Sequence, residues 1–92
     1  MENKVTKEKL SKYFKITEEA LAKAKKAKVN EKSEEILDMV ENYLKDARYF
    51  ESQGNIVNAF AALNYAHGWL DCGARLKLFK VNDSRLFAVD EE

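Results

Sequence analysis

The sequence predicts an all-α protein, an antiparallel three-helix bundle followed by a short C-terminal tail. Three observations lead there. Proline is absent and glycine occurs three times in 92 residues, so little interrupts long helices and few positions supply the turn chemistry of strands. Apolar residues recur at three- and four-residue intervals through three successive segments. The second and third segments are joined only by Gly54-Asn55, a link short enough to fold two helices back as antiparallel neighbours.

The first helix is expected over about 4–28, with Leu10, Phe14, Thr17, Leu21, Ala24 and Ala27 or Lys28 along its stripe and Tyr13 and Ala20 widening it. Lys23, Lys25, Lys26 and Lys28 crowd its last turn, where positive charge meets the negative end of the helix dipole. "VNEKS" then breaks the pattern. Asn30 or Ser33 can cap a second helix over about 31–53, and Glu34 and Glu35 suit its first turn. That helix carries Ile36, Met39, Val40, Tyr43, Ala47 and Phe50 on one face, with Leu37 and Leu44 alongside.

Gly54 supplies a left-handed C′ position and Asn55 the next N-cap. The third helix is expected over about 56–79, roughly 36 Å long. Residues 1–80 then form the bundle and 81–92 the tail. There Leu86, Phe87 and Val89 either dock or form a short helix capped by Asp83 or Ser84, and the acidic end frays.

Composition narrows the function. Sixteen basic and sixteen acidic residues give zero formal net charge, so no global field recruits nucleic acid or membrane. The single Cys72 rules out an internal disulfide and suits a reducing compartment. The opening "MENKVTKEKLSKYF" lacks the apolar run of a signal peptide, and no window reaches the ~18 apolar residues of a span. The expectation is a soluble, cytoplasmic protein with no membrane partner. No serine or cysteine nucleophile pairing, phosphate-binding glycine loop or cysteine cluster is visible. Neither an enzyme nor a cofactor is expected.

Charge is divided between helices. Residues 1–29 carry nine lysines and four glutamates, net +5, whereas residues 30–55 carry net −4. The first helix can therefore lie beside the second with complementary flanks. The alternative is nucleic-acid binding, with the lysine-rich first helix tracking phosphates. Against it, that helix has no arginine, and Tyr13 and Phe14 fall on the core stripe rather than among the lysines.

The third helix holds the candidate sites. A wheel centred on Leu63 puts Asn64, His67, Asp71 and Arg75 along one edge, with Gly68 just beyond. This is the candidate binding edge. Asp71 can bridge His67 and Arg75, and Asp46 and Glu51 can add carboxylates from across the hairpin. Small-molecule or metal binding there is an alternative function. His67 and Asp71 alone make an i,i+4 ligand pair, fewer than the three or four protein ligands of a zinc site, so no metal is expected. Tyr65, Trp69 and Leu76 on the opposite flank form the candidate interface. The glycines are expected to mark close approach, with Phe14, Tyr43 and Phe50 the bulky neighbours, and Cys72 to be a small structural residue. The favoured function is a non-catalytic helical interaction module or small assembly subunit, engaging a protein partner or forming a homo-oligomer.

Two resemblances follow. Tyr43, Ala47, Phe50, Gly54-Asn55, Ala59, Leu63 and Ala66 stand as in one tetratricopeptide-type hairpin. Only one copy is present, where a stacked array needs about three, so the likeness is one of hairpin packing. "DARYFESQGNIVNAFAALNYAHGWLDCGARLKLF", residues 46–79, resembles a small, mostly archaeal family of uncharacterised proteins, domain-of-unknown-function class 357. With the first helix the likeness spans about residues 5–80. It implies a three-helix bundle in an archaeal cytosol and carries over no catalytic or ligand residues.

Overall fold

Each helix begins where a side chain can satisfy its unpaired amides. In the computed structural model, which describes residues 5–81 and 83–87, α1 (Lys7–Lys26) starts where Thr6 Oγ1 accepts from Lys9 N at 3.1 Å. Helix α2 (Glu31–Ser52) opens on a capping box. Asn30 Oδ1 accepts from Lys32 N at 2.9 Å, and Ser33 Oγ accepts from Asn30 N at 3.2 Å. Both residues expected as alternative caps therefore act together. Gly54, at φ 75, takes the C′ position of α2, and Asn55 N donates to Phe50 O at 2.8 Å. Asn55 then caps α3 (Ile56–Arg75) through Asn58 N at 3.2 Å.

Helix α3 is the central element. It packs most extensively on α2, less on α1, and α1 and α2 touch least. The result is a flattened three-helix bundle of 37 × 26 × 16 Å. Ion pairs Glu18–Arg48, Lys25–Glu41 and Lys28–Glu34 cross from α1 to the start of α2 and along it in antiparallel order. The complementary flanks expected from the charge division thus meet, although the main apolar contact of α1 is with α3. The core joins Leu10, Phe14 and Leu21 to Leu37, Val40 and Leu44, and to Leu63 and Leu70. On α2 the centre of the buried face is Leu37 and Leu44, while Ile36, Met39, Tyr43 and Phe50 are only half-buried at its side.

Helix α3 ends at Arg75, four residues short of the expected end. Lys77 adopts φ 61, and Lys77 N and Leu78 N donate to Ala74 O and Gly73 O at 3.1 and 2.9 Å. This is a Schellman turn with lysine where glycine is usual, so no sequence signal marks it. The chain reverses and crosses the α1–α2 connection. Val29 N donates to Leu78 O and Lys80 N to Ala27 O, and Ser33 Oγ donates to Leu78 O at 2.6 Å. Phe79, 1% exposed, is thereby folded onto the helix it was expected to extend.

The tail docks. Leu86 and Phe87 are buried in the core, and their amides donate to Asp83 O at 3.0 and 2.9 Å. Asp83 Oδ1 accepts from Arg85 N at 3.1 Å, closing a turn rather than capping the short helix that was the alternative to docking. Val89 and the acidic end at 90–92 lie outside the described residues. Among the described residues no helix is long and apolar enough to cross a membrane.

Candidate functional site

The parallel course of α1 and α3 leaves a cleft of ≈ 410 Å³ between them, lined from α1 by Tyr13, Ile16 and Thr17 and from α3 by Leu63, Asn64, His67, Gly68 and Asp71. Arg85 of the tail completes the lining. Four of the five residues of the candidate edge, Asn64, His67, Gly68 and Asp71, are thus brought to one cavity. Arg75 is exposed one turn further on and lies outside its lining.

The floor is apolar and rigid. Leu63 and Thr17 are 1% exposed, and the Tyr13 ring stands edge-on to Phe60 with centroids 5.1 Å apart. One wall is polar. His67 Nε2 lies 3.6 Å from Asp71 Oδ1, an i,i+4 pair with both side chains partly buried. That separation is too long for a formed hydrogen bond. Gly68 leaves the rim open, because a Cβ there would meet nothing within 4 Å. The expectation that the glycines mark close approach therefore holds for Gly73, although the neighbour is Phe79 rather than Phe14, Tyr43 or Phe50, and fails for Gly68.

Arg85 is held at the mouth by charge. Its Nε and Nη2 donate to Asp83 Oδ1 and Oδ2 at 3.1 and 2.7 Å, and Lys23 Nζ donates to Asp83 Oδ2 at 2.9 Å. Glu19 lies 3.6 Å from Arg85 Nη2. Hydrogen bonds from Arg85 first, then Lys23, hold the Asp83 carboxyl well below the usual carboxylate range. The same pairing makes Arg85 hold its proton more firmly.

Other expectations fare differently. Asp46 and Glu51 are exposed on α2 and do not line the cleft, because α1 and the tail face His67 where the hairpin reading put α2. Among the described residues no group of three His, Cys, Asp or Glu side chains converges to hold a metal ion. Tyr13, Ile16, Thr17 and Arg85 were absent from the sequence-based site. The first three carry core-stripe spacing, and only the parallel register of α1 and α3 sets them opposite His67. Lys23, Lys25 and Lys28 are engaged with Asp83, Glu41 and Glu34, and Lys9 lies over the Phe60 ring, which leaves Lys7, Lys12, Lys15 and Lys26 as the other exposed lysines of α1.

The second candidate surface is the outer face of α3. Tyr65 and Leu76 are 63% and 64% exposed, whereas Trp69 is half-buried against the core. Tyr65 stacks on Tyr43 of α2 with centroids 5.4 Å apart and planes 21° from parallel. Val57, Asn58, Ala61, Asn64, Gly68 and Cys72 complete this face, and all are exposed. Cys72, expected as a small structural residue, is a surface thiol. Arg75 is the only formally charged residue among the exposed positions of α3.

The family model described as "Protein of unknown function (DUF357)" matches residues 12–79. No curated protein and no solved structure matches the chain. The matched span takes in most of α1, all of α2 and α3 and the covering Phe79, and stops before the tail that carries Arg85. By that match, the chain belongs to the DUF357 family.

Proposed function

We propose that this protein is a non-catalytic helical interaction module, or small assembly subunit, that docks a protein through the outer face of α3. One observation carries the reading. That face exposes Val57, Tyr65 and Leu76 by more than 60% each and shows no charge from Val57 to Cys72 among its exposed residues, in a chain that is 35% charged. Uncharged aromatic and aliphatic surface of this kind is typical of the centre of protein interfaces. The reading extends to an archaeal cytoplasm, a setting implied by the family resemblance and suited to a chain whose one thiol stands unbridged at the surface.

Capture from the native cell with wild-type and Tyr65→Glu baits tests it. A protein retained by the wild type and lost by the folded variant supports the reading. Equal capture by both baits overturns it.

A second reading rests on the α1–α3 cleft, which gathers Asn64, His67, Gly68 and Asp71 around an apolar floor. There the protein binds a small molecule with an apolar body and a hydrogen-bonding edge. A ligand screen by thermal shift, comparing wild type with His67→Ala, decides it: a shift abolished by the substitution supports binding in the cleft. Indifference of the wild type to every ligand class counts against it.

A further inference from the structure

Gly68 has no explanation within its own chain. It lies inside α3 and is exposed, its φ is not positive, and a side chain there would enter open space. Alanine would favour the helix. Around it, the exposed residues Ala61, Tyr65, Gly68 and Cys72 follow intervals of four, three and four, the seam by which one helix packs along another. Val57 and Leu76 stand at its two ends, 68% and 64% exposed.

We infer that this seam is the contact between two copies of the chain, α3 against α3 in antiparallel orientation, with Tyr65 of each copy seated over Gly68 of the other. The inference rests on the outer face of α3 being the docking surface and names its occupant. Charge permits a second copy. A two-fold contact sets a surface against itself, so like charges at its centre would face each other. The face of α3 meets its own with no such charge at its centre.

The register follows from residue size. A two-fold axis crossing α3 between Ala66 and His67 pairs Tyr65 with Gly68, Ala61 with Cys72, and Val57 with Leu76. Each bulky ring meets the one position without a side chain, and each exposed aliphatic end meets another. The two Arg75 residues fall at opposite ends, each opposite Asn58. Centring the axis on Tyr65 instead sets the two rings against each other and leaves Gly68 unfilled. Stacking on Tyr43 holds Tyr65 ready as the inserting group.

Sedimentation of the full chain over a range of concentrations, with disulfide trapping, tests the inference. The wild type is expected to dimerise. Gly68→Leu fills the hole and weakens the dimer at least about tenfold, while its helical circular dichroism is expected to be unchanged, because a Cβ there meets nothing within 4 Å in its own chain and leucine favours a helix over glycine. Under mild oxidation Ala61→Cys is expected to give a covalent dimer through Cys72 of the other copy. Within one chain, positions 61 and 72 are roughly 16 Å apart along the helix, too far to bridge. The two native Cys72 thiols are about as far apart across the axis, so the wild type is not expected to cross-link. A dimer that survives Gly68→Leu, or one that cross-links through Cys72 alone, overturns the inference and leaves α3 as the docking face. A wild type that stays monomeric overturns it too, and the capture experiment then decides whether a different protein occupies the same face.

Discussion

The ring of Phe79 lies directly over Gly73, so close that a Cβ at residue 73 would overlap Cε2 and stand 2.6 Å from Cζ. Gly73 is therefore a packing requirement created by the chain reversal at Lys77. Gly73→Ala gains helix propensity of about 1 kcal/mol and loses more by overpacking a buried ring, about 1–3 kcal/mol. Chemical denaturation should show net destabilisation, partly relieved when Phe79→Leu is added. Gly68→Ala, facing open space, should instead stabilise the isolated chain. Equal effects at the two glycines would refute the packing account.

Ser33 is the polar joint between the α1–α2 connection and the reversed segment. Its hydroxyl donates to Leu78 O at 2.6 Å and accepts from Val29 N and Asn30 N at 3.2 Å each. The residue is fully buried, so Ser33→Ala takes the side-chain partner from Asn30 N and leaves Val29 N and Leu78 O only their bond to each other, and should cost about 1–3 kcal/mol. A loss below roughly 0.5 kcal/mol in urea unfolding would show that water replaces the hydroxyl at no penalty.

The tail is clasped through a carboxylate whose pKa is lowered in the fold by Arg85 and Lys23. A group depressed in this way stabilises the folded state above its unfolded pKa, about 3.9 for aspartate. That contribution is lost as pH falls toward the folded value. Protection of the Leu86 and Phe87 amides, which donate to Asp83 O, measured against their intrinsic exchange rates, should fall on acidification below about pH 4. Asp83→Asn should bring the lower protection to neutral pH. Unchanged protection in acid would mean that burial of Leu86 and Phe87 alone holds the tail.

The lysine-rich end of α1 is occupied by its own fold. Lys25→Ala, which breaks the exposed pair with Glu41, should change stability by less than about 1 kcal/mol. Phosphate binding through α1, if present, would run through Lys7, Lys12, Lys15 and Lys26. Replacing those four with glutamate should abolish any salt-sensitive RNA retention, and substitution at Lys25 should leave it intact. The reverse pattern would put nucleic acid on the surface turned to α2.

Legibility varied with the distance over which each residue acts. The starts of α2 and α3 were readable because Asn30, Ser33 and Asn55 bond to amides within three residues. The end of α2 was readable because Gly54 is the usual left-handed residue. The end of α3 was hidden, since Lys77 takes that conformation without the usual residue type. The polar edge of Asn64, His67 and Asp71 was legible from helical spacing alone. What faces it was not: Tyr13 and Thr17 read as core, and Arg85 as part of an ambiguous tail.

The amino-acid sequence by itself determined three helices, the caps that start α2 and α3, the charged flanks joining α1 to α2, and the uncharged character of α3. These follow from contacts along single helices and from turns of a few residues. Tertiary structure alone decided that Phe79 covers Gly73, that Gly68 stays open and that α1 with Arg85 encloses the His67 edge. Each depends on which segment returns across the bundle, and Phe79, Leu86 and Phe87 are all buried there in the same apolar core.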